Sequence, residues 1–164
     1  MKELQSSPVR SSIVVEASKE RTFSVFTEDI ASWWPPDHHL LEGPLAEMVF
    51  EPRVGGHVYD RGVDGSECRW ARVLAYEPPD RVIFSWSIDL HWQLETDPNR
   101  TSEVEVRFVE EAPERTRVEL EHRNLERHGA GWEQMHDAVE GPNGWVVGLQ
   151  SFASRIAGLA ADLG

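Results

Sequence analysis

A single cysteine, Cys68, in 164 residues rules out an intrachain disulfide and a zinc site built on clustered thiolates. Positive charge is also scarce: 16 Lys and Arg stand against 29 Asp and Glu, a formal net charge of −13. So acidic a chain suits neither a phosphate backbone nor an anionic membrane surface, and no nucleic-acid partner is expected. No apolar run approaches the roughly 20 residues that a spanning helix needs. Residues 1–10 lack the apolar core of a signal peptide. Membrane insertion is therefore not expected, and a cytoplasmic, reducing location is. Signatures of metal and nucleophile chemistry are missing too: there is no HExxH, no His pair at i, i+4 and no G-x-S-x-G. Adjacent His38 and His39 are expected to point in different directions. No metal, cofactor or catalytic residue is assigned.

What is present begins at the C-terminus. Trp145, Leu149, Phe152, Ile156 and Leu159 succeed one another at steps of four, three, four and three, the spacing of one helical face, over residues 144–161. Pro142, Asn143 and Gly144 break the chain before it, with Asn143 as the expected N-cap. Burying such side chains stabilises by roughly 1.5–3 kcal/mol each, in sum comparable to the net stability of a domain. The helix therefore needs a large apolar surface to lie on.

The rest of the chain offers a sheet. Residues 1–8 are polar and expected to be flexible. Residues 9–17 read as a strand, and Ser18 as the N-cap of a helix, or of two short helices with a bend near Asp29, carrying Phe23, Phe26, Ile30 and Trp33. A loop containing His38 and His39 follows the Pro35-Pro36 pair. Six strands are then expected, over 45–53, 55–62, 68–77, 81–90, 101–110 and 115–125, with short turns at Asp64-Gly65, Pro78-Pro79-Asp80 and Asp97-Pro98-Asn99. Tight connections make this an antiparallel meander. Alternation is clear in the last three strands. Val82, Phe84, Trp86 and Ile88 share a phase, as do Val104, Val106 and Phe108, and then Val118, Leu120 and His122. The opposite phase is charged, with Glu and Arg side chains expected to pair weakly across a wet face. In 57–61 and 68–76 both phases hold apolar residues, and the register stays open. Residues 126–141, with Trp132, Met135 and Val139 at helical steps, read as a short helix or turn.

Several stretches carry a family resemblance: Ser32-Trp33-Trp34-Pro35-Pro36 with His38-His39, Phe50-Glu51-Pro52-Arg53-Val54-Gly55-Gly56, and Pro78-Pro79-Asp80-Arg81-Val82-Ile83-Phe84-Ser85-Trp86. His122-Arg123-Asn124-Leu125-Glu126-Arg127-His128-Gly129 and Gly144-Trp145 complete the set. In this order they resemble the START-like, or SRPBCC, superfamily, and within it the bacterial branch of activator-of-heat-shock-chaperone-ATPase (Aha-type) homologues. The resemblance implies an α+β helix-grip fold, a curved antiparallel sheet of six to seven strands wrapped around the long C-terminal helix, as a single domain over 9–161. It also implies an apolar cavity between sheet and helix.

Trp33, Trp34, Met48, Phe50, Phe84, Trp86, Val106, Leu120, His122, Trp145, Leu149 and Phe152 are the residues expected around that cavity, with His57 and Tyr59 as further candidates. Aromatic walls with a few polar groups suit a small apolar or aromatic ligand. Three functions are open. The first is non-enzymatic binding of such a molecule. The second is a protein-interaction role like that of chaperone activators, with a chaperone or a second copy of the chain as partner. The third is a cyclase- or hydrolase-like reaction using an inward polar group such as His122.

Overall fold

The computed structural model describes residues 8–35 and 44–163. The expected flexible start, up to residue 7, and the His38-His39 loop lie outside the described residues.

The strands are β1 (Val9–Val15), β2 (Leu45–Phe50), β3 (His57–Gly62), β4 (Glu67–Glu77), β5 (Arg81–Trp86), β6 (Ser102–Ala112) and β7 (Arg115–Arg123). They form one seven-stranded sheet in the order β1-β7-β6-β5-β4-β3-β2, and every pairing is antiparallel. The sheet curls around the long helix α3 (Trp145–Leu163), the α+β helix-grip arrangement expected. Helix α1 (Lys19–Thr27) and a 3-10 turn (Ile30–Ser32) follow β1, and a second turn (Leu125–His128) leads from β7 into α2 (Trp132–Glu140).

Each helix starts for a local reason. Ser18 is extended (ψ 158°) and its Oγ accepts the Arg21 N–H at 3.2 Å, the expected cap of α1. At α3 the expectation is corrected: the first intrahelical bond, from the Gly148 N–H, ends on the carbonyl of Gly144, so Gly144 and not Asn143 is the cap. The reason is crowding. A Cβ on Gly144 would sit 2.1 Å from the Val139 carbonyl oxygen, so only glycine lets α2 and α3 approach this closely. Trp145, Leu149, Phe152 and Ile156 are buried, as their spacing requires.

Alternation predicts β5, β6 and β7 well: Val82, Phe84, Val104, Val106, Phe108, Val118 and Leu120 are all buried against the helices. The charged face needs a correction at one point. Glu105 is only 5 % exposed, held by Arg81, Arg107 and Arg123 from β5, β6 and β7. Desolvation alone would raise its pKa, but hydrogen bonds from those three guanidiniums outweigh it and hold the carboxyl at about 2. The registers left open in β3 and β4 have a physical cause. Register shifts between Leu45 and Glu47, Val58 and Tyr59, and Val73 and Ala75 break the period of two. The expected strand over 81–90 ends at Trp86, because the Asp89 carboxylate accepts the N–H groups of His91 and Gln93 and folds the chain back.

Candidate functional site

Five of the seven tryptophans line a single cavity of about 590 Å³ at the end of the grip where α3 begins. Strand β4 supplies Trp70, the end of β5 Trp86, the segment after the first 3-10 turn Trp34, and the first turn of α3 Trp145. Their rings form a closed circuit. Centroids lie 5.1 Å apart for Trp34–Trp70, 5.8 Å for Trp70–Trp86, 5.4 Å for Trp86–Trp145 and 5.9 Å for Trp34–Trp145. Contacts of this geometry favour aromatic pairs beyond the area they bury. Half-exposed Trp92 completes the wall. Its φ of 60° is rare for a bulky side chain and belongs to the Asp89 fold-back, where the Trp92 N–H donates to the Asp89 carbonyl at 3.0 Å. The opposite wall is the stretch from Asp137 to Val139 with Gly141 to Gly144, and Gly148.

Polar groups on this wall are few. Asp60 of β3, 1 % exposed, accepts the Trp70 indole N–H on Oδ1 at 3.3 Å. Trp86 is 6 % exposed, and its own indole N–H finds no acceptor among the described residues.

Behind Trp145 lies a buried hydrogen-bonded chain. The Trp145 indole N–H donates to His122 Nδ1 at 3.1 Å, and Ser102 Oγ sits 2.7 Å from both His122 Nε2 and His128 Nε2. An indole only donates, so His122 Nδ1 is the acceptor and Nε2 carries the proton. That proton goes to Ser102 Oγ, the serine hydroxyl donates to His128 Nε2, and the His128 proton rests on Nδ1, which has no partner among the described residues. Both rings are neutral. Burial pulls the His122 pKa down to about 3, aided by repulsion from His128 and His136, and burial lowers that of His128 as well.

Of the twelve expected residues, Trp34, Trp86 and Trp145 stand on the cavity wall. Trp33, Met48, Phe50, Phe84, Val106, Leu120, Leu149 and Phe152 are buried in the packed core. His122 is fully buried, its ring centroid 6.0 Å from Trp145, with both nitrogens engaged. His57 turns to Glu51, and Tyr59 lies beneath Arg69 and Arg61. Sequence reasoning missed Asp60 and Trp70, whose strands had no assignable register, and the α2–α3 junction, whose one signal was Gly144. Cys68 is buried and its thiol pKa is pushed up to about 11 by desolvation, then by the Asp60 charge, so it is a poor nucleophile. Among the described residues, His136, Asp137 and Glu140 bring possible ligand atoms within 4.8 Å on the outside of α2. No helix is long and apolar enough to cross a membrane among those residues.

Three comparisons place this geometry. A solved anthrahydroquino-γ-pyrone synthase, Txn09, is 45% identical over 92% of this chain and 97% of its own, with a TM-score of 0.63. The self-sacrificing resistance protein CalC from Micromonospora echinospora is 28% identical over 91% and 93%, with a TM-score of 0.65. Protein MLL2253 from Mesorhizobium loti shares the fold at 17% identity, over 90% and 95%, with a TM-score of 0.63. No curated protein sequence matches the chain. The model of the family described as activator of Hsp90 ATPase homolog 1-like protein matches residues 16–154. The helix-grip fold and that match together make the chain a member of this START-like family.

Proposed function

We propose that the tryptophan-lined cavity binds a planar, polycyclic aromatic small molecule. The closed circuit of four indoles carries this reading: it presents flat, polarisable faces that favour another aromatic ring by stacking or edge contact. A volume of about 590 Å³ is the size of ordinary small-molecule sites. The 45%-identical relative is a synthase of an anthrahydroquino-γ-pyrone, a fused aromatic compound, which supports the same ligand class here.

Binding without turnover is the primary reading. The same likeness favours a second, closure of an oxygen-containing ring on such a molecule; both ring nitrogens of His122 are hydrogen-bonded behind Trp145, to the indole and to Ser102. A chaperone partner is the reading that the family's description suggests, and a pull-down that recovers a chaperone ATPase would favour it instead.

The test is a titration with 9,10-anthraquinone followed by tryptophan fluorescence. With five of the seven indoles on one wall, saturation should quench most of the emission. Gly148→Leu, which pushes a side chain into the cavity, should weaken binding by roughly tenfold or more at an unchanged fold. No quenching and no rise in melting temperature would sink the proposal.

A further inference from the structure

The exposed residues of the cavity wall mark its mouth: Trp92 on one rim, and Asp137, Ala138, Pro142 and Asn143 on the other. Trp92 departs from the other wall indoles in two ways. It is 49 % exposed, whereas Trp70, Trp86 and Trp145 are buried. It also stands outside their circuit, with no ring contact and no side-chain hydrogen bond among the described residues. Its backbone, in contrast, is firmly mounted. The Asp89 carboxylate accepts the N–H groups of His91 at 2.8 Å and Gln93 at 2.9 Å. The Asp89 N–H donates to the Gln93 carbonyl at 2.7 Å, and the Glu95 N–H closes the base on the Ser87 carbonyl at 2.8 Å. Ile88 is buried, and Leu90 Cδ1 lies 3.4 Å from where a Cβ on Gly131 would stand, just before α2.

A tryptophan at φ 60° is conformationally unfavourable, where glycine would meet no clash, and a half-bare indole leaves apolar surface in water. Strain held at the rim of a site points to a function there. The rigid fold-back fixes where the ring is mounted, and a ring without side-chain partners changes rotamer quickly. We infer that Trp92 is the lid of the cavity: its indole turns inward over a bound aromatic molecule and covers the side that the four-indole circuit leaves open. This rests on the aromatic-ligand reading above. The closing contact forms only after the ligand has entered, so it slows release and leaves capture nearly unchanged. It also gives Trp92 the burial that Trp70, Trp86 and Trp145 already have.

Two measurements on the intact protein with 9,10-anthraquinone test this. In the first, all seven tryptophans are labelled as 5-fluorotryptophan and followed by fluorine NMR, with the Trp92 signal assigned by its loss in Trp92→Phe. The shift of that signal between light and heavy water, which reports exposure, should be large without ligand and vanish at saturation. In the second, stopped-flow fluorescence compares the native protein with Trp92→Gly, a change that removes the ring and relieves the backbone, so folding is not at risk. Release should quicken roughly tenfold, the scale of one aromatic contact, with association within about twofold of native. Trp92→Phe, which keeps a ring, should restore most of the slow release. A Trp92 signal still open to water in the complex, or a native release rate in Trp92→Gly, overturns the lid while the cavity stands. If anthraquinone moves none of the seven signals, the cavity reading falls and the lid with it.

Discussion

An indole can give a proton to a hydrogen bond but cannot accept one, and that asymmetry orders four side chains here. Trp145 sets the tautomer of His122, His122 orients Ser102, and Ser102 orients His128. Replacing Trp145 with Phe should leave His122 Nδ1 buried and without its donor, at a cost of about 1–3 kcal/mol in addition to the lost ring contacts. Urea denaturation of Trp145→Phe checks this, and an unchanged midpoint would show that the indole N–H is dispensable. Part of this arrangement is legible in the sequence: the phase of Val118 and Leu120 turns His122 inward, and its full burial follows. Its partners are not legible, since Ser102 lies on the neighbouring strand, Trp145 on another element, and nothing in the local pattern pairs them. Asp60 illustrates the converse. An aspartate in an apolar segment without register gives no sign that it faces a cavity until Trp70 is seen donating to it.

At the level of elements, the grip depends on how closely α2 can approach the start of α3. Two glycines of the same helix end should answer substitution with opposite signs. A methyl on Gly144 meets the Val139 carbonyl oxygen at 2.1 Å and its carbon at 2.4 Å, backbone atoms that cannot step aside. Gly144→Ala should therefore lose about 3 kcal/mol or more. Gly148 has only Trp145 Cε3, at 3.9 Å, near its missing Cβ. Gly148→Ala should gain roughly 0.5–1 kcal/mol from reduced backbone freedom in the unfolded chain. Chemical denaturation of both variants tests the pair, and equal effects would refute the account. The helix was readable in advance because five apolar side chains at helical steps admit one face. Strands β3 and β4 were readable as strands but not in phase. Each bulge adds a residue to one side of a pair and reverses which side chains face the core beyond it.

Across the whole molecule, buried titratable groups from separate elements combine into one pH dependence. His122 ionises near 3 in the fold against an ordinary 6.5, so the unfolded chain takes up the proton first. Stability is then complete above 6.5 and falls by roughly 1.4 kcal/mol per pH unit as the pH drops toward 3; His128, shifted the same way, adds to the fall. Glu105, at about 2 against an ordinary 4.5, opens a second decline below 4.5. Urea midpoints at pH 7, 6 and 5 should decrease in that order, and Glu105→Gln should flatten only the limb below 4.5. Constant midpoints from pH 7 to 5 would mean that the histidines are not held neutral. The pattern of apolar residues prescribed a curled antiparallel sheet and a long helix to fill it, because period and burial are tied to backbone geometry. The cavity came only with folding. Trp34, Trp70, Trp86 and Trp145 lie as much as 111 positions apart (145 less 34), and bulges, a cap glycine and the meeting of two helix ends set where their rings converge.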